Sequence, residues 1–160
     1  MNNYQPITSN PRMFFKKIAI IHVAMLAGQV LFGAVVFFIT LKPVFDTKPG
    51  NDPLFYMAPL MIVFGMVVGS FLYKQQVAKL ADKPTLTEKL MGYQAALIIR
   101  FALAEGPALF SIVCFMLTGN LFYLLCTGIN VLYFIWIRPT KQKMEDDLKL
   151  TYEDKIELAF

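Results

Sequence analysis

Side chains that carry chemistry are scarce in this chain of 160 residues. It has one histidine, His22, and two cysteines, Cys114 and Cys126, with neither a Cys-x-x-Cys pair nor a Cys/His cluster. That scarcity excludes zinc sites, iron–sulfur clusters and bis-histidine haem, each of which needs several such ligands at set spacings. Both cysteines fall inside apolar stretches, where a free thiol acts as a small hydrophobe, so no disulfide is expected. There is no phosphate-cradling glycine loop and no nucleophile paired with a base, so the chain is read as a non-enzyme without catalytic residue, metal or cofactor. Charge is thin as well, with 16% Asp, Glu, Lys and Arg and a net charge of +4.

Apolar residues fill the space that charge leaves, at 57% of the chain. Four apolar stretches, near residues 18–41, 54–73, 95–117 and 121–137, each approach the ~20 helical residues that cross ~30 Å of hydrocarbon. The expected fold is all-α: one membrane-embedded four-helix bundle over residues 1–160, with a tail at 138–160 and no soluble domain. The first stretch starts only at Ile18 and lacks a small-residue cleavage site, so it reads as a retained span.

Orientation follows from the Lys and Arg of the short connections. Arg12, Lys16 and Lys17 precede the first stretch, Lys74, Lys79, Lys83 and Lys89 lie between the second and third, and Arg138, Lys141 and Lys143 follow the fourth. In the other two connections, Lys42 and Lys48 are balanced by Asp46 and Asp52, and Thr118-Gly119-Asn120 is uncharged. The alternation predicts both termini in the cytoplasm, in a membrane such as the bacterial inner membrane. The basic residues sit at membrane edges, where anionic lipid attracts them; membrane lipid is an expected partner and nucleic acid is not.

The connections carry helix-stop and helix-start signals. Residues 1–12 are polar with prolines at 6 and 11, an irregular lead-in, and residues 42–53 hold three prolines and Gly50, a short outer loop. Thr85 with Glu88 three residues later is a capping box that predicts a helix start well before the third apolar run. Thr118-Gly119-Asn120 is so short that spans three and four must be antiparallel neighbours, and Pro139 ends or bends the fourth. In the tail, Met144, Leu148, Tyr152 and Ile156 recur every four residues. Two readings stay open: an amphipathic helix against a partner or the bilayer, and an irregular solvated tail.

Within the spans, Gly65 and Gly69 form a GxxxG step, which lets helix backbones approach inside the chain or across a homodimer. Arg100 and Glu105 are the ionisable pair of the third span, and a charge near the bilayer centre costs at least ~2.5–3.5 kcal/mol unless paired or hydrated. At 1.5 Å per residue, Glu105 lies about 18 Å and Arg100 about 25 Å from the outer surface, so Arg100 can snorkel inward. Five positions put the two about 140° apart around the helix, which disfavours their pairing. The same depth count brings Gln29 and Asn130 to the level of Glu105, and His22 to that of Arg100. A polar layer of Gln29, Glu105 and Asn130 is expected. Gly106 and Pro107 add a kink, and Pro107 strips the Leu103 carbonyl of its helix donor. Glu105 then has three readings: a carboxyl that fixes helix order through Gln29 or Asn130, a proton or cation carrier, or a group facing another subunit.

The run Phe101-Ala-Leu-Ala-Glu105-Gly-Pro-Ala-Leu-Phe110-Ser111-Ile-Val113 resembles the ion-carrying helix of rotary ATP synthase c subunits, over residues 101–117. The resemblance implies a proton-exchanging role for Glu105. The glycine-rich preceding helix and polar Arg-Gln-Pro-like loop of that family do not occur here, so only Glu105 is carried over. The leading expectation is an accessory or structural subunit of a larger inner-membrane complex. The second is a proton- or cation-transducing homo-oligomer built on Glu105, and the third is a lipid-binding membrane protein.

Overall fold

The computed structural model describes residues 11–48, 52–150 and 152–157. Residues 1–10 of the expected lead-in, Gly50 and the Ile156 side chain lie outside that set. The described chain is helical: α1 (Pro11–Ile39), α2 (Leu54–Ala78), α3 (Leu86–Thr118), α4 (Leu121–Trp136), α5 (Lys141–Asp147) and α6 (Tyr152–Glu157). Among the described residues no strand forms; one isolated bridge pairs Val44 with Asn120.

Three of these helices, over Met13–Ile39, Leu54–Ala78 and Leu86–Thr118, are long and apolar enough to cross a membrane. At 16 residues α4 spans about 24 Å, less than the ~30 Å of a hydrocarbon core. It reaches spanning length only together with α5, across a 74° bend that contains Pro139.

Helix ends follow local chemistry and extend past the apolar runs. α1 opens at Pro11, a residue pre-set for the first helical position, so the lead-in is shorter than expected. Thr85 caps α3, its hydroxyl accepting from the Glu88 N–H at 3.3 Å. The other end of α3 closes on Gly119, whose left-handed φ of 69° suits glycine, and its N–H bonds to the Phe115 carbonyl at 2.8 Å. Asn120 then caps α4 through the Phe122 N–H and ties the α1–α2 connection down through both backbone groups of Asp46.

α3 is the hub, touching α1, α2 and α4. The core falls into two apolar clusters. One joins Ile18, Tyr73, Leu97, Phe101 and Phe134 near one end, and the other joins Val36, Ala58, Ile112, Phe115 and Tyr123 near the opposite end.

The tail differs from both of its expected forms. Its four-residue apolar repeat does not make one helix, because Lys149 adopts a φ of 46° between α5 and α6 and turns the chain. Met144 and Leu148 are buried in the first cluster beside Leu80 and Leu90, whereas Tyr152 is 81% exposed. Tyr73 donates to Asp147, and Lys89 pairs with Asp154 at 2.9 Å. The apolar side chains of α5 therefore cover the end of the chain's own helix pack.

Candidate functional site

Between the two apolar clusters lie Gln29 of α1 and Asn130 of α4, both with 0% exposure. The Asn130 amide donates to the Ala104 carbonyl at 3.1 Å and, at 3.4 Å, to Gln29 Oε1. Gln29 Nε2 and Asn130 Oδ1 have no partner among the described residues. Three helices are thus tied at one level by neutral groups, where a lost hydrogen bond is hard to replace.

Glu105, next in sequence to Ala104, does not join them. Instead of a Gln29, Glu105 and Asn130 layer, the structure has two side chains and a carbonyl. Among the described residues no hydrogen bond or ion pair reaches Glu105. It is half-buried at the seam of α1 and α3, and a Cβ added to Gly28 would stand 4.0 Å from Glu105 Oε1. On the same two helices Ala24 and Gly28 of α1 and Ala102 and Gly106 of α3 are small and exposed. Nothing lies within 4 Å of a Cβ built on Gly106, so Gly106 faces open space rather than a neighbouring helix.

Arg100 points to another helix pair. Its guanidinium lies over the Tyr73 ring, 4.7 Å from the centroid, and donates weakly to Ser70 Oγ at 3.4 Å, while its Nε is buried without a partner among the described residues. Ser70 in turn shares a 2.8 Å hydrogen bond with the Tyr133 hydroxyl. Arg100 and Glu105 form no ion pair.

His22 is buried, stacked on Phe134 and edge-on to Phe101. Its Nε2–H donates to the Phe134 carbonyl at 2.9 Å, a group in the last turn of α4. The remaining carbonyls of that end are taken by Ile137 N–H, Arg138 N–H and the Lys143 ammonium, which donates to Trp136 O at 2.9 Å. His22 and Lys143 together cap α4, and Lys143 also places a cation at the negative end of its dipole.

Gly65 and Gly69 both face α3 inside this chain. A Cβ at Gly65 would overlap the Leu103 carbonyl oxygen and stand 2.9 Å from Pro107 Cγ; one at Gly69 would meet Leu103 Cβ at 3.4 Å. The carbonyl released by Pro107 is therefore covered by a glycine backbone, and α3 continues through Gly106 and Pro107 without a break.

Ser70, Tyr73 and Asp147 were not singled out by the sequence pattern, and Lys143 entered it only as one of the basic residues that set orientation. Tyr73 stands directly before Lys74 and Asp147 ends α5, whereas Ser70 lies inside α2 with no such neighbour. No group of three or more His, Cys, Asp or Glu able to hold a metal occurs among the described residues. Compared with family models, curated proteins and solved structures, the chain matches none, so its reading rests on its own residues and geometry.

Proposed function

We propose that this chain is a membrane-embedded four-helix subunit with both termini cytoplasmic, and that it packs as an accessory or structural component within a larger membrane assembly. The observation behind this reading is the setting of Glu105. A carboxyl at the middle level of apolar helices, half-buried and without a partner among the described residues, is costly in hydrocarbon. We take exposed Ala24 and Gly28 on α1 and Ala102 and Gly106 on α3 as a small-residue notch beside it, the kind of surface that lets a foreign helix approach closely. A polar or cationic group on that helix would complete the site. The buried polar residues Gln29, Asn130 and His22, by contrast, are engaged in holding helices together.

The same exposure supports a second reading, in which copies of this chain ring together and Glu105 exchanges protons or cations. That reading is also what the likeness to c subunits implies.

Purification of the full chain from its own membrane in mild detergent tests both. A stoichiometric complex with other membrane proteins supports the first reading, and a symmetric homo-oligomer supports the second. A Cβ at Gly106 meets no described atom of this chain within 4 Å, so Gly106→Leu should release the partner without changing the melting of the chain itself. A monomer in mild detergent, or an assembly indifferent to Gly106→Leu, removes the proposal.

A further inference from the structure

A cavity of about 240 Å³ opens where α2, α3, the end of α4 and α5 converge. Four cationic side chains line it, Lys74, Arg100, Arg138 and Lys143, against a single carboxylate, Asp147. That carboxylate accepts the Tyr73 hydroxyl, and among the described residues none of the four cations has an acidic partner. Like charges gathered around a concavity repel one another and gain when an anion enters.

The cations are also arranged by depth. Lys74, Arg138 and Lys143 are exposed at the rim, together with Trp136 at 72% exposure. Arg100 lies deeper, held flat over Tyr73, with a buried Nε that lacks an acceptor. A planar guanidinium whose side-chain hydrogen bond to Ser70 is weak is suited to a tetrahedral oxyanion, and exposed lysine and arginine at the rim suit its outer oxygens. Trp136 at the mouth is a residue type that favours the level of lipid headgroups.

We infer that this cavity is a phosphate site, and that its occupant is either the headgroup of an anionic phospholipid or a free phosphate ion. The site shares no residue with the notch around Glu105, so either can hold without the other.

The test uses the full chain in nanodiscs of phosphatidylcholine with or without phosphatidylglycerol, and separately with inorganic phosphate. The variant is Lys74→Gln with Arg138→Gln, two rim charges that make no side-chain hydrogen bond or ion pair among the described residues. The control is Lys79→Gln with Lys83→Gln, two exposed lysines of the α2–α3 connection outside the cavity. If the occupant is a lipid, phosphatidylglycerol is retained by the wild type and the control, and the rim variant loses it by roughly thirtyfold, as removal of two charges near an anionic surface implies. If the occupant is a soluble ion, inorganic phosphate raises the melting temperature of wild type and control but not of the rim variant, and the lipid is not enriched. Equal behaviour of rim variant and control, or no response to either anion, overturns the site.

Discussion

Gly65 of α2 lies so close to the carbonyl oxygen of Leu103 in α3 that a methyl group at Gly65 would overlap it. Pro107 supplies no N–H for that carbonyl and fills the other side of the contact. The glycine and the proline belong to one packing solution: the proline frees the carbonyl, and the absent side chain lets α2 shield it.

Gly65→Ala is therefore expected to force α2 and α3 apart and to cost about 1–3 kcal/mol, the usual penalty for overpacking. Gly69→Ala meets its neighbours at ordinary contact distance, 3.4 Å and beyond, and should cost clearly less. Unfolding of both variants in detergent gives the comparison. Equal losses at the two positions would show that closeness of α2 to α3 is not what Gly65 provides.

The clasp of the tail gives a second expectation. Lys89 and Asp154 meet at 2.9 Å with side chains 10% and 15% exposed, so their coupling should exceed the ~1 kcal/mol of a solvent-exposed pair without reaching the ~3–5 kcal/mol lost when a fully buried pair is broken. A double-mutant cycle with Lys89→Met and Asp154→Asn measures it. Limited proteolysis should cut Lys89→Met faster near Lys149, where the chain turns between α5 and α6. A coupling near zero, with unchanged cleavage, would leave the tail anchored by the apolar burial of Met144 and Leu148 and by the Tyr73–Asp147 hydrogen bond.

These contacts show which parts of the molecule were legible in the residues. Long apolar runs and the Thr85/Glu88 box located α1 to α4, because burial of backbone polar groups and capping act locally, although α1 begins at Pro11, well before its apolar run, and α2 continues past its own to Ala78. Depth along a helix was legible too: the count that put Gln29 and Asn130 at one level matches their contact. Azimuth was not. Glu105 shares that level yet faces the α1–α3 seam, since the direction of a side chain around its helix depends on how three helices pack. The tail was misread for a related reason. A four-residue repeat through Tyr152 describes a helix only if the backbone continues, and Lys149 turns it away. Tertiary pairings such as Tyr73 with Asp147, 74 positions apart, leave no local trace.

Topology is open to a direct measurement. A reporter active only in the cytoplasm should give signal when inserted at Lys83, between α2 and α3, and stay silent when inserted at Gly50, because Lys and Arg are in excess only on the first side. The Lys83 position lies beyond the last residue of α2, Ala78, so the insertion spares the helix. Signal at Gly50 would invert the arrangement and place the basic cavity on the outer face.

Glu105 separates the two functional readings through its isosteric amide. Within the chain its carboxyl makes no hydrogen bond among the described residues, so Glu105→Gln and Glu105→Ala should each shift the stability of the isolated chain by no more than about 0.5 kcal/mol. Assembly is where they should differ. If Glu105 only receives hydrogen bonds from a neighbouring helix, the amide preserves most of them, whereas the alanine leaves the partner's donors unsatisfied and weakens the complex by ~1–3 kcal/mol. If Glu105 carries protons, the glutamine variant should assemble fully and transport nothing, because an amide cannot exchange a proton at this site. Native mass spectrometry of the assembly and proton flux in liposomes, measured on both variants, give different patterns for the two cases. Full flux in the glutamine variant, or no flux from the wild-type assembly, eliminates the carrier. A large loss of stability in the isolated chain would show instead that the carboxyl serves its own bundle and that the notch around it is not an interface.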